Sequence, residues 1–431
     1  MPFGSRAPRA LAAVVFSIIS LPMAAAAQTK ADLVHARRLL ASTILIDGHN
    51  DLPWEIRIAK EAPRDVEAYD LRKPRPRHTD FARLAAGGLG AQFWSIYIPG
   101  EIKDSGFARV QLEQFDIARR MIARYPDRLL FATSTADILR AHREKKLASL
   151  LGMEGGHAIE NSLGALRSYY ELGARYMTLT HNVTLAWADA ALGEEMHGGL
   201  TPFGREVVRE MNRLGMLADL SHVSPAVMSN VLDVTEAPVI FSHSSSRALT
   251  DHKRNVPDSI LARLPENGGV VMVTFVPSFV SNAVRLAEDT ADSARAAIEK
   301  ATPDTAEQGR RLREFAAAHP IPHATLADVA DHIEHVRQVA GVDHVAIGSD
   351  FDGIEFGPDG LEDTSKFPFL FAELIHRGWS DVELKKLAGE NLLRAFRQAE
   401  VVSQRLRKSR PPSTATIEQL DGRTATTSPA S

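Results

Sequence analysis

Eight short apolar runs recur along the chain, separated by segments with helical patterning, and this alternation constrains the fold more than any other feature. The runs are Thr43–Asp47, Gly90–Tyr97, Ala148–Met153, Tyr176–Thr180, Met216–Leu220, Pro238–Ser242, Gly269–Phe275 and His344–Gly348. Near-continuous apolar runs of this length suit parallel strands buried on both faces. Helix signals fall between them. Thr201-Pro202 opens a helix over Phe203–Leu214 that Gly215 closes, and Thr325 caps Leu326–Ala340 ahead of Gly341. Ser380 and Glu383 form a capping box for a last long helix, roughly Asp381–Arg405. Eight strands alternating with helices predict an α/β fold, a TIM-type (β/α)8 barrel. A doubly wound open sheet is disfavoured, because no G-x-G-x-x-G follows the first run.

Three segments stand outside that frame. Residues 1–27 read as a signal peptide, with Arg6 and Arg9 before the apolar run Leu11–Met23 and Ala25-Ala26-Ala27 as a cleavage site. The rival is an uncut N-terminal anchor, but thirteen apolar residues are short for a bilayer. Residues 28–405 then form the barrel domain. Within it, Val280–His323 is a helical insertion after the seventh strand, read as a lid or interface element. Residues 406–431, rich in Ser, Thr, Pro and Ala, read as a disordered tail. The mature chain is expected to be exported, periplasmic or secreted, with no transmembrane span.

Charge and cysteine content narrow the chemistry. Lys+Arg number 50 against 54 Asp+Glu, a net charge of −4, and removing residues 1–27 deletes two Arg and no acid, giving −6. That balance leaves no broad basic field for nucleic acid. The chain has no Cys, so disulfides, thiolate nucleophiles and Cys-ligated metals are excluded. Any metal must be held by carboxylates and by some of the 16 His.

Those residues gather where a barrel keeps its active site, at the C-terminal ends of the strands. The first run ends in Asp47-Gly48-His49-Asn50-Asp51, the third in Glu154-Gly155-Gly156-His157 and the fourth in His181-Asn182. The fifth ends in Ser221-His222, the sixth in Ser242-His243 and the eighth in Ser349-Asp350-Phe351-Asp352. A single His there is most often structural, but six of eight ends bearing His or carboxylate point to a metal-dependent hydrolase. His49 and Asp51 can reach one ion, Glu154 can bridge two, and His222 with His243 can hold the second. Such N/O donors suit zinc best, with cobalt or manganese as substitutes. His332 and His335, three apart on a predicted helix, read as a solvated face. His157 and Asp352 are read as support for neighbouring ligands, His35, His78, His142, His252, His319 and His376 lack a barrel-end context, and Arg72–Arg77 reads as a solvated loop.

The blocks Asp47–Trp54, Gly88–Pro99, Glu154–Asn182, His197–Ser224, Ser242–Ser246, Asn255–Pro257 and Gly348–Gly353 resemble the membrane dipeptidase (renal dipeptidase) family of zinc metallopeptidases, family M19, within the amidohydrolase-like superfamily. The resemblance runs from residue 43 to about 396. It implies two Zn(2+) per subunit, one held by His49, Asp51 and Glu154, the other by Glu154, His222 and His243. It further implies that His181 lies beside the scissile carbonyl, that Arg254 meets the substrate carboxylate and that Asp350 handles the proton. The implied reaction is dipeptide hydrolysis by a hydroxide shared between the metals. The zero Cys count departs from the disulfide-linked dimer of animal members, so a homodimer here would be non-covalent. Two alternatives stay open: another amidohydrolase activity, on a lactone, β-lactam or N-acyl amino acid, and a non-catalytic exported binding protein.

Overall fold

Backbone hydrogen bonding joins eight parallel strands into a closed ring in the computed structural model, which describes residues 28–102 and 106–422. The described residues hold nine strands, of which all but the third form the ring: β1 (Leu45–Asn50), β2 (Leu89–Ser95), β3 (Leu129–Phe131), β4 (Leu147–Glu154), β5 (Ala174–Thr178), β6 (Leu217–Asp219), β7 (Ile240–Phe241), β8 (Val270–Val273) and β9 (Val345–Ile347). β1 pairs with β2 on one side and β9 on the other, β2 pairs with β4, and β4 to β9 follow in order. The fold is therefore the expected (β/α)8 barrel.

β3 is the strand that sequence reading missed. Its three residues are too short to register as an apolar run. It pairs with Leu147–Ser149 at the start of β4, on the edge that β5 occupies from Leu151 onward. It patches the barrel wall without joining the ring.

Strand parity explains why the runs are apolar throughout. Even positions of β4, β5, β7 and β8, among them Ala148, Leu150, Tyr176, Ile240 and Met272, fill the barrel interior with Ile46, Phe93 and Leu217. Odd positions such as Leu151, Met153, Met177 and Val271 pack outward against the helices. Alternation along each strand likewise turns Glu154, Thr178 and, two residues after Leu217, Asp219 inward at the mouth. Gly152 is one place where a side chain is impossible: a Cβ there would lie 2.0 Å from Cζ of Tyr176. Its absence admits the tyrosine ring.

The helix stops follow local chemistry. Thr201 accepts from the Gly204 amide ahead of Pro202–Leu214, and Gly215 closes that helix at φ +84°. Thr325 and Asp328 form a reciprocal cap for Leu326–Ala340, as Ser380 and Glu383 do at Asp381. The last helix is not continuous. A π-helical turn over Lys386–Glu390 separates Asp381–Lys385 from Asn391–Ser409, where Gly389 lies against the Ile44 carbonyl.

The chain beyond Arg405 corrects the tail boundary. The helix runs to Ser409, and a further helix, Ile417–Asp421, returns to the helix at Pro202, where Asp421 accepts from the Phe203 amide at 2.9 Å. Buried Ile417 and a bond from Arg167 to the Ser413 carbonyl hold this segment in place. Composition alone misread it because its anchors are few and far apart in sequence. The leader 1–27 and residues 423–431 lie outside the described residues. The insertion after β8 is a helical hairpin, Asn282–Ala301 and Thr305–Ala318. Among the described residues no helix is long and apolar enough to cross a membrane.

Candidate metal centre

The strand ends deliver all eight residues singled out from the sequence to one cleft of about 410 Å³. Asp51, Glu154, His181, His222, His243, Arg254 and Asp350 line it. His49 is fully buried behind them, its Nε2 lying 3.2 Å from Asp51 and 3.5 Å from Oε2 of Glu154. The other carboxylate oxygen, Oε1, faces His222 Nε2 at 3.0 Å and His243 Nε2 at 3.4 Å. Glu154 thus presents one oxygen to each half of the cluster.

The imidazole tautomers follow from the hydrogen-bond network. Tyr176 donates its hydroxyl proton to the Gly48 carbonyl at 3.3 Å, so it accepts from His49 Nδ1–H at 2.8 Å. Ser242 donates to Asp219 at 2.6 Å and accepts from His243 Nδ1–H at 2.8 Å. Asn182 Oδ1 accepts from His222 Nδ1–H at 3.0 Å. Each Nε2 therefore turns a lone pair into the cleft, the form a metal ligand needs. His222 and His243 bring their Nε2 atoms to 2.9 Å of each other. His49 Nε2 and Asp51 Oδ1 are buried without any hydrogen-bond partner. Lone pairs converging with no proton between them are costly in a dry site, and a divalent cation relieves that cost. The donor set fits a metal.

Three overlapping groups of donors lie within reach of a single ion: His49, Glu154 and His243; Glu154, His181 and His222; His49, Asp51 and Asp350. Distance does not separate His181 and Asp350 from the other five donors. His181 stacks between Tyr97 and His222, at 5.0 Å and 4.4 Å between ring centres, with Nδ1 buried and unpartnered. Asp350 Oδ1 is 3.9 Å from His49 Nε2, in a residue held at φ +67°.

Charge in the cleft is strongly perturbed. Burial penalises the Glu154 carboxylate, yet the imidazoles of His49, His222 and His243 packed around it hold its pKa well below the usual range. Burial pushes Asp350 well above that range, helped by the Asp51 and Glu154 charges and opposed by His49 and Arg254. Burial also lowers His181, keeping its ring neutral. Arg254 is 2% exposed and pushed down to about 10 by burial. Its guanidinium touches Ser244 Oγ at 3.4 Å and the His243 carbonyl at 3.5 Å, over the Phe279 ring. No carboxylate of the described residues lies within ion-pair distance of it.

Several residues that hold the site were not singled out from the sequence. Asp219 accepts from Thr178, Ser221 and Ser242, and Asp47 accepts from the Ser349 amide and hydroxyl at 2.7 and 2.6 Å. Asp47 thereby ties the end of β1 to that of β9. The available signal was an Asp two or three residues before a His of the cluster, in Asp47-x-His49 and Asp219-x-x-His222. Three readings need correction. His78 braces the Asp350 loop: its amide donates to Asp352 Oδ1 at 2.9 Å, and the Asp352 amide donates to His78 Nδ1 at 3.0 Å. His332 is buried rather than solvated, accepting from the Ser246 amide and donating to the Val280 carbonyl. Its neighbour His335 pairs with Asp258 at 2.8 Å. Arg77, in the loop read as solvated, pairs with Glu55 at 3.0 Å.

Comparison with known proteins agrees with this geometry. The profile of the membrane dipeptidase family (peptidase family M19) matches residues 33–410. Dipeptidase verJ of Clonostachys rogersoniana is 40% identical over 389 residues, covering 88% of this chain and 90% of its own. The probable dipeptidase PvdM of Pseudomonas aeruginosa superposes with a TM-score of 0.75 at 25% identity, over 86% of this chain and 99% of that one. A metallopeptidase of Rhodobacter sphaeroides, solved with a phosphinate mimic of L-Ala-D-Ala, has the same fold, with a TM-score of 0.68 at 24% identity over 83% and 99% of the two chains.

Proposed function

The chain belongs to the membrane dipeptidase family and is a metallo-dipeptidase; from that premise we propose that it is an exported enzyme that uses two zinc ions to hydrolyse the peptide bond of free dipeptides. His49, Asp51 and Glu154 would hold one ion, and Glu154, His222 and His243 the other. Zinc in such a site supplies Lewis acidity toward a carbonyl and lowers the pKa of water toward about 7, which is the hydroxide chemistry the reading invokes.

The chain's own residues divide the remaining work. Arg254 receives the substrate's terminal carboxylate. A buried guanidinium with no carboxylate partner is poised for an anion it can grip with two parallel bonds. His181, neutral and close to Glu154, donates a hydrogen bond to the scissile carbonyl oxygen as negative charge develops there. Asp350 accepts the proton of the attacking water and delivers it to the leaving amine. Burial raises its affinity for that proton, so its ionised form is a stronger base for the first of the two steps. The observation that carries the reading is the convergence of three outward-anchored imidazoles on the two oxygens of Glu154, with Asp51 against His49 and a buried arginine without a carboxylate partner beside them.

The mimic bound to the R. sphaeroides protein suggests dialanine as a probe. Purified protein should contain about two equivalents of zinc and cleave Ala-Ala. Glu154→Gln should lose metal from both positions and at least ~10³-fold in kcat, since both halves of the cluster share that carboxylate. Full activity with one metal or none would overturn the binuclear reading. Cleavage after Ala27 during export, and a non-covalent homodimer, complete the proposal. N-terminal sequencing of the exported chain and its mass in solution test those two points.

A further inference from the structure

The turn that carries Asp350 is held in part from outside the cleft. Asp350 and Asp352 follow β9 at φ +67° and +66°, in the left-handed region that L side chains rarely adopt. Such a turn keeps its shape only while its surroundings impose it. The end of β1 holds its first half: the Asp350 amide donates to the His49 carbonyl at 3.2 Å, and the Asp51 amide donates to the Phe351 carbonyl at 2.9 Å. His78, in the excursion between β1 and β2, holds the second half. Its amide donates to Asp352 Oδ1 at 2.9 Å, and its ring Nδ1 accepts from the Asp352 amide at 3.0 Å.

His78 is itself fixed. Its carbonyl accepts from the Thr364 amide at 3.2 Å and the Thr364 hydroxyl at 3.1 Å. Its ring stacks on Phe351 with 5.3 Å between centres. The next residue, Thr79, accepts from Asn50 Nδ2 at 2.9 Å and so ties the same segment to the end of β1. The His78 ring is buried and forms no wall of the cleft, so a substrate bound there does not reach it. Its route to the reaction runs through the backbone of the turn. That route is tight: a Cβ at Gly353 would lie 2.4 Å from Asp51 Oδ2 and 2.6 Å from Asp350 Oδ1. A shift of the turn therefore moves Asp350 against Asp51.

We infer that His78 is a positioning residue for turnover: by accepting the Asp352 amide it holds the strained turn that aims the Asp350 carboxyl into the cleft. This role rests on the reading of Asp350 as the proton carrier. Asp352 is buried, so its amide cannot turn to water when the acceptor is removed. The turn then relaxes, and Asp350 loses its aim while the imidazoles around Glu154, anchored on other strands, stay in place.

The test compares His78→Phe, which keeps a stacking ring without an acceptor, with His78→Asn, whose Oδ1 is as many bonds from the backbone as Nδ1. On Ala-Ala, His78→Phe should lower kcat by about 10- to 100-fold, the scale of a small misplacement of a reacting group. KM should stay within about threefold, because ground-state binding is not what His78 serves. Zinc content should match wild type. His78→Asn should recover kcat to within about threefold of wild type. In an Asp350→Asn background, adding His78→Phe should change kcat by less than about twofold, since nothing is left to position. His78→Leu repeats the comparison should the Phe variant fold poorly, with zinc content and melting temperature as the measures of folding. A folded variant without the acceptor that keeps wild-type kcat would overturn the role. So would an equal loss in His78→Asn, zinc lost in parallel with kcat, or losses that multiply in the double variant. An Asp350→Asn enzyme that keeps most of its kcat would instead overturn the reading of Asp350, and the role of His78 would fall with it.

Discussion

At the barrel mouth, the three imidazoles around Glu154 are each fixed at Nδ1 by a second side chain, and two further carboxylates, Asp47 and Asp219, lock neighbouring strand ends together. The hairpin after β8 is built the other way. Of the twenty residues in Asn282–Ala301 only Val284 is buried, and Thr305–Ala318 buries none. Its ion pairs, such as Arg285–Asp289 and Arg310–Glu307, stay within the hairpin and lie at the surface. Both regions leave the same end of the barrel. The mouth holds unfavourable local states, including His222, Asp350 and Asp352 at positive φ, each costing about 1 kcal/mol or more. Only a surrounding frame with redundant contacts can hold them there. The hairpin carries no such load and needs no such frame.

The contrast can be broken most directly at Asp350. If the mouth is a rigid frame around one mobile proton, Asp350→Asn should leave zinc content and thermal stability near wild type. It should still lower kcat by about 10²–10⁴, the range for a general acid–base residue. Steady-state kinetics on Ala-Ala with elemental analysis of the same sample would check this. A variant that keeps most of its kcat would transfer the role to another group. One that loses zinc would make Asp350 a ligand, as its 3.9 Å approach to His49 permits.

A smaller effect sharpens the point about redundancy. Tyr176 reaches His49 through the gap left by Gly152, and its hydroxyl is the only partner of His49 Nδ1 among the described residues. Tyr176→Phe should weaken zinc binding by about 10- to 100-fold, the usual penalty for losing an orienting partner of a metal ligand. Competition with a chelator reads this directly. Unchanged affinity would mean that packing alone orients the ring.

These two residues also mark how far the sequence could be read. Asp350 was legible because a strand end is where a barrel keeps its chemistry, and a run of Ser-Asp-Phe-Asp there is hard to assign to packing. Tyr176 was legible only as a strand residue. Its role depends on Gly152 of a neighbouring strand, and no spacing rule links the two positions. The same limit hid His78 and His332, whose partners Asp352 and Ser246 lie 274 and 86 residues away. The eight barrel strands were legible because both their faces are apolar. β3 was not, because three residues cannot show a period. The segment 410–422 was misread since its composition is that of a linker, while its hold on the fold comes from Ile417 and a few backbone bonds.

The smallest expected effect lies in the hairpin and tests whether it is truly free. Leu286 is 55% exposed on the first helix. Trimming an exposed side chain removes little buried area, and the ion pairs around it are worth only about 0–1 kcal/mol each. Leu286→Ala should therefore change unfolding stability by no more than about 0.5 kcal/mol, as surface substitutions generally do. It should leave the kcat for Ala-Ala unchanged. The same truncation inside the barrel, Phe93→Ala, should cost about 3–5 kcal/mol. Denaturant melts of both variants at several protein concentrations give the comparison. A concentration-dependent loss above about 1.5 kcal/mol for Leu286→Ala would mean that a second copy covers the hairpin in solution, because association stabilises only the folded state and scales with the partner's concentration. The hairpin would then belong to an interface, and its lack of buried residues would be a property of the single chain alone.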